Sequence, residues 1–159
     1  MQNTYVDIMI QSLRKKVKVL EEIKKLNEKQ KALLEDDKSD ADEFDKTVED
    51  KSARIDQLEQ LDEGFDQLFA RVKEDLTVNR EVYTSKIKSM QDYIRQITDL
   101  SMEIQAQEAR NKELMTRKFT SIRERAKVVR TSSRAANRYY KNMMQLNYVD
   151  PQFLDKKSR

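Results

Sequence analysis

Six cations recur near the end of this 159-residue chain at intervals of 4, 3, 4, 4 and 3: Arg123, Lys127, Arg130, Arg134, Arg138 and Lys141. Beside them on the same helical surface run Phe119, Ile122, Ala126, Val129, Ala136, Tyr140 and Met143, so an apolar seam is edged by positive charge. The chemistry this pattern offers is recognition. Guanidinium and ammonium groups pair with carboxylates, and the seam between them takes apolar side chains from an amphipathic helix with acidic edges. Ser132, Ser133, Ala135 and Ala136 leave shallow space, whereas Tyr139, Tyr140, Met143 and Met144 supply large adaptable contacts of the kind favoured at protein interfaces. The residues expected to touch a partner are Phe119, Ile122, Arg123, Ala126, Val129, Arg130, Arg134, Ala136, Tyr139, Tyr140, Lys141 and Met143.

Reactive chemistry has little to work with. The chain contains no cysteine and no histidine, which removes thiolate metal sites, Ser-His and Cys-His catalysis and the commonest general base. A single glycine, Gly64, rules out glycine-rich phosphate loops. Carboxylates are plentiful, but on solvated helix faces they serve as charge pairs. No enzyme, metal or cofactor is expected.

The elements that must carry the seam follow from composition and periodicity. Charged residues make up 38% of the chain against 37% hydrophobic, with one glycine and one proline, and this is the composition of long helices with narrow apolar stripes. The first stripe, Val6, Ile10, Leu13, Val17, Leu20, Ile23 and Leu34, predicts a helix over residues 4–35. "EDDKSDADEF" interrupts it, and Ser39 or Asp40 can cap the next helix with acidic residues at its positive end. A second stripe, Phe44, Val48, Ile55, Leu58, Leu61, Phe65, Leu68, Val72 and Leu76, predicts a helix over 41–76 that passes through Gly64. A third runs from Tyr83 through Ile87, Met90, Ile94, Ile97, Leu100 and Ile104 to Met115, and then along the C-terminal seam, predicting a helix over 80–145. Pro151 forces Asp150 out of helical geometry, leaving a tail at 147–159 that is disordered, folds back over the seam through Tyr148, Val149, Phe153 and Leu154, or is itself a short linear motif.

The weakest boundary lies at Thr77 to Asn79, where neither Gly nor Pro marks a turn. A helix running unbroken from 41 to 145 would be about 150 Å long, with the first helix covering only a third of it, so an antiparallel return there buries more apolar surface. The fold expected is therefore all-α: one elongated antiparallel helical bundle or coiled coil spanning 1–159, with three long helices. The third helix is extended by about 40 Å beyond the other two. The alternative is a four-helix bundle in which the last segment folds back. In this up-down-up register Lys51 falls level with Glu108 and with Asn27, and all three stripes turn polar there, with Asn111 nearby. Asn27, Lys51, Glu108 and Asn111 are thus expected to form a polar layer that fixes register, unless the stripes simply fray into solvent at that height.

Charge is divided along the chain. Residues 35–81 hold 7 basic against 17 acidic groups, and residues 110–159 hold 14 against 4, so a net charge of +3 conceals an acidic middle and a basic end. Those regions should attract each other or oppositely charged partners. A basic helix can also neutralise phosphates, but the chain has no recognised nucleic-acid motif and its acidic middle would repel the polymer. Membrane binding is not expected either: tryptophan is absent, apolar runs are short, and the start "MQNTYVDIMIQSLRKK" places its positive charge after its apolar part, the reverse of a signal peptide. A cytoplasmic location is the default.

The stretch "FDKTVEDKSARIDQLEQLDEGFDQL", Phe44 to Leu68, resembles the FlgN-type flagellar export chaperones, cytoplasmic secretion chaperones of hook–filament-junction subunits. The N-terminal "YVDIMIQSLRKKVKVLEEI" and the C-terminal "AANRYYKNMMQLNYVDPQF" are similar in outline. FliT-type chaperones share these degenerate features. The resemblance implies an all-helical carrier without catalytic residues. Such a carrier holds the helical end of a secreted flagellar protein through its C-terminal helix and presents it to the export apparatus. Two other readings stand beside it: a structural coiled-coil protein that self-associates, for instance as a homodimer, and a nucleic-acid-binding basic helix.

Overall fold

The computed structural model describes residues 2–118 together with 138 and 139. Three helices make up the first of these stretches: α1 (Gln2–Glu35), α2 (Ala41–Val78) and α3 (Thr84–Lys118). The described residues contain no strand, and the protein is an all-α helical bundle. Helix α1 is the spine, packing its backbone along both α2 and α3, and these two are held together largely through it.

The turn between α1 and α2 is built from the side chains of its own acidic segment. Asp40 is the N-cap: its carboxylate accepts from the Asp42 amide at 2.9 Å, and Asp42 and Glu43 lie in the first turn, where the helix dipole favours negative charge. Ser39, the other capping candidate, serves the preceding helix instead, donating to the Leu33 carbonyl at 2.7 Å. Lys118 closes the same turn from α3, its ammonium donating to the carbonyls of Leu33 and Asp36 and to Ser39 Oγ. A cation at the C-terminal end of α1 satisfies carbonyls that have no partner within the helix.

The second turn is longer than its sequence suggests. α2 continues to Val78 and α3 starts at Thr84, four residues after the expected start at 80. Asp75 accounts for the difference. Its carboxylate accepts from Asn79 Nδ2 at 2.6 Å and from Tyr83 Oη at 2.5 Å, tying the residue that ends α2 to the one that precedes α3. Tyr83 is buried in this turn rather than on the third helix.

Because α1 has neighbours on two sides, it buries a wider arc than one narrow stripe. Met9 and Val19 are buried beside Val6, Leu13, Val17, Leu20 and Ile23, and so is Lys16. The core formed with α2 and α3 falls into two blocks. The larger joins these residues to Leu58, Phe65, Val72 and Leu76 and to Ile87, Met90, Ile97 and Ile104. The smaller, beside the α1–α2 turn, contains Leu34, Phe44, Val48 and Met115.

The position of Tyr139 bears on the last third of the chain. A third helix running straight on from Lys118 would carry residue 139 about 30 Å beyond it. Instead Tyr139 packs against the larger core block and reaches Asp62, twenty-odd residues down α2 from its start. Residues 119–137 and 140–145, where the third helix was expected to run on, lie outside the described residues. The tail at 147–159 lies outside the described residues.

Candidate functional site

Two groups of buried polar side chains interrupt the core, and both sit at helix positions that should hold apolar residues. Spacings of 3 and 4 carry α1 through Val6, Met9, Leu13, Lys16, Leu20, Ile23, Asn27, Gln30 and Leu34, every one of them buried. The same rhythm carries α2 through Phe44, Val48, Lys51, Ile55, Leu58, Asp62, Phe65, Phe69, Val72 and Leu76. On α3 it places Ser101, Glu108 and Asn111 among Ile97, Ile104 and Met115.

Lys51 is the hub of the first group. Its Nζ donates to Glu108 Oε1 at 2.7 Å, Asn27 Oδ1 at 3.0 Å and Gln30 Oε1 at 3.1 Å, so one ammonium uses three donors on two other helices. Asn27 Nδ2 donates to Gln107 Oε1, and Asn111 Nδ2 donates to the Asn27 carbonyl at 2.9 Å. Gln30 Nε2 donates to Thr47 Oγ1. Asn27, Lys51, Glu108 and Asn111 therefore stand at one height, between the two apolar blocks. Gln30, Thr47 and Gln107 join them without having been anticipated. For Gln30 the signal was present: Ile23, Asn27, Gln30 and Leu34 follow one another at 4, 3 and 4. Glu108 Oε2 is buried without a hydrogen-bond partner among the described residues, which makes the Lys51 contact its compensation.

Lys16 anchors the second group. Its Nζ pairs with Asp62 Oδ1 at 2.5 Å, and the side chain is 1% exposed against 18% for Asp62. Burial pushes the Lys16 ammonium below its ordinary range, while the Asp62 charge and hydrogen bond oppose that shift. The other Asp62 oxygen accepts from Tyr139 Oη at 2.5 Å, and the Tyr139 ring lies 6.0 Å from Lys16 Nζ, within reach of a cation–π attraction. Asp66, one turn further along, is raised by desolvation and by the Asp62 charge, with Lys16 opposing. Neither Lys16 nor Asp62 was singled out from sequence. Placing them in the core requires following the 3-4 phase through a lysine and an aspartate instead of choosing the apolar neighbours Val17 and Leu61.

Of the residues assigned to partner contact, Tyr139 alone is described, and it is half-buried against α1 and α2. Arg138 beside it is exposed. Phe119, Ile122, Arg123, Ala126, Val129, Arg130, Arg134, Ala136, Tyr140, Lys141 and Met143 lie outside the described residues. Asp56, Glu59, Gln60, Glu63 and Asp66 form an open, exposed acidic surface on α2. No group of three or more acidic residues among those described is placed to hold a metal ion, and no described helix is long and apolar enough to cross a membrane.

Long antiparallel helices whose buried charges join one helix to the next place the protein in the class of all-α helical bundles. More particularly, the chain belongs to the FlgN family: the family model described as FlgN protein matches residues 1–146, a span that takes in the entire C-terminal seam. Membership makes it a flagellar export chaperone, a family of binding proteins not known for catalysis. No curated protein and no solved structure matches the chain significantly.

Proposed function

We propose that this chain is a cytoplasmic chaperone holding the helical segment of a secreted flagellar subunit, of the hook–filament-junction kind, and delivering it to the export apparatus. The observation that carries this reading is the family match over residues 1–146, because it includes the basic-edged seam as well as the bundle. The seam from Phe119 to Met143 is the contact surface, with Ile122, Val129, Ala136, Tyr140 and Met143 taking the apolar face of the client helix. Arg123, Arg130, Arg134 and Lys141 pair with carboxylates along its edges. The bundle formed by α1, α2 and α3 acts as a rigid handle, its register set by the Lys51–Glu108 layer.

The test is cross-linking and co-purification of the tagged full chain from its native cell. Recovery of a secreted flagellar subunit, cross-linked to residues between 119 and 143, supports the reading. Recovery of the chain with itself alone would favour a structural coiled coil, and salt-labile nucleic acid a phosphate-binding helix.

A further inference from the structure

Tyr139 belongs to the surface assigned to a client, yet here it is occupied by its own chain. Its hydroxyl donates to Asp62, its ring stands over the Lys16 ammonium, and its apolar body packs on the larger core block. The two charged residues that receive it are fixed at core positions of α1 and α2, with Lys16 almost wholly buried. Beside them, Asp56, Glu59, Glu63 and Asp66 stand exposed on the surface of α2. The stretch that carries Tyr139 bears Arg123, Lys127, Arg130, Arg134, Arg138 and Lys141 at helical spacing. Cations every turn on one segment and carboxylates every turn on the other are complementary.

We infer that Lys16 and Asp62 form a clasp for the Tyr139 hydroxyl, and that a client segment competes with this clasp. The competition rests on the client reading above; the clasp does not. Exposed charge pairs are weak and screened by salt, so they attract the stretch without fixing its position. Position comes from the tyrosine, whose hydroxyl bond to a carboxylate is the stronger, charge-assisted kind. A Tyr139 side chain held by Asp62 and Lys16 cannot at the same time pack on a client helix. Whatever fraction of molecules is clasped is therefore withdrawn from binding, and client affinity falls by that fraction.

Hydrogen exchange of the full chain tests the clasp. In Tyr139→Phe, amides of peptides covering 134–145 should exchange about tenfold faster, the scale of one lost charged hydrogen bond, while those of α1, α2 and α3 stay as in wild type. Asp62→Asn alone strands the Lys16 charge, so the double variant Lys16→Met/Asp62→Leu serves as the second probe and should give the same local acceleration. Unchanged exchange in both variants would overturn the clasp. Protection of 134–145 that grows with protein concentration would place the tyrosine of a second copy there and overturn its intrachain form. Competition is read by titrating each chain with the purified hook–filament-junction subunit of the same genome. Several-fold tighter binding by Lys16→Met/Asp62→Leu, which leaves the proposed client surface intact, supports it, and equal or weaker binding despite faster exchange overturns it. If neither chain binds, both the competition and the client reading fail, and the exchange data still decide the clasp.

Discussion

Lys51 shows how a single side chain constrains three helices. Its ammonium satisfies Glu108, Asn27 and Gln30 together, so removing it leaves a buried carboxylate and two amide oxygens without donors. Lys51→Met should cost about 3–5 kcal/mol in chemical denaturation, the range for breaking a buried pair. Lys51→Met/Glu108→Leu should recover part of this, ending about 1–3 kcal/mol below wild type, because the stranded charge is gone while the amide oxygens of Asn27 and Gln30 still lack a donor. A double variant no better than the single one would show that the charge pair is not what the layer depends on. Asp75 gives a pH-dependent counterpart. Hydrogen bonds from Tyr83 and then Asn79 hold its carboxyl below its ordinary value of 3.8. The folded protein therefore gains stability from this group that is complete above the ordinary value and is lost as pH falls through the depressed one. NMR titration of the Asp75 carboxyl should show the low value in wild type and a return towards the ordinary one in Tyr83→Phe.

Among the helices, α2 carries the one glycine, Gly64, in its interior, exposed and with nothing within 4 Å of where a Cβ would stand. Gly64→Ala should therefore stabilise the bundle by about 1 kcal/mol, the helix-propensity difference, read as a higher denaturation midpoint. A loss of stability would mean that the space is needed. The helices themselves were legible in sequence because 3-4 spacing survives along each of them, and the acidic "EDDKSDADEF" carries its own cap. The start of α3 was less so. Nothing in "DLTVNRE" breaks a helix, and the turn is set by Asp75 reaching forward to Asn79 and Tyr83, a contact that composition does not reveal. The candidate sites divide in the same way. Asn27, Lys51, Glu108 and Asn111 could be found because three stripes turn polar at one height. Lys16 and Asp62 could not, because apolar residues stand next to each and draw the stripe aside. The partnership of Tyr139 with them depends on the path of the last third, for which sequence left two choices.

The whole chain is charge-divided, acidic in α2 and basic towards its C-terminus, and its proposed working surface is the basic part. Val129→Asp or Tyr140→Asp places a carboxylate in the apolar seam, at a cost of several kcal/mol unless it is paired. Client binding should weaken at least tenfold while circular dichroism keeps the helix content of α1, α2 and α3. Loss of the entire fold would show that the seam is internal core. The division of the core into two blocks has an effect of its own. Apolar contacts around Leu34, Phe44, Val48 and Met115 do not run on into those around Leu58 and Ile104. The tier centred on Lys51 is a firebreak: loosening that begins at the Asp40 end meets hydrogen bonds that must be broken together before it can spread. The Asp40 end of the bundle should therefore open before the longer block does.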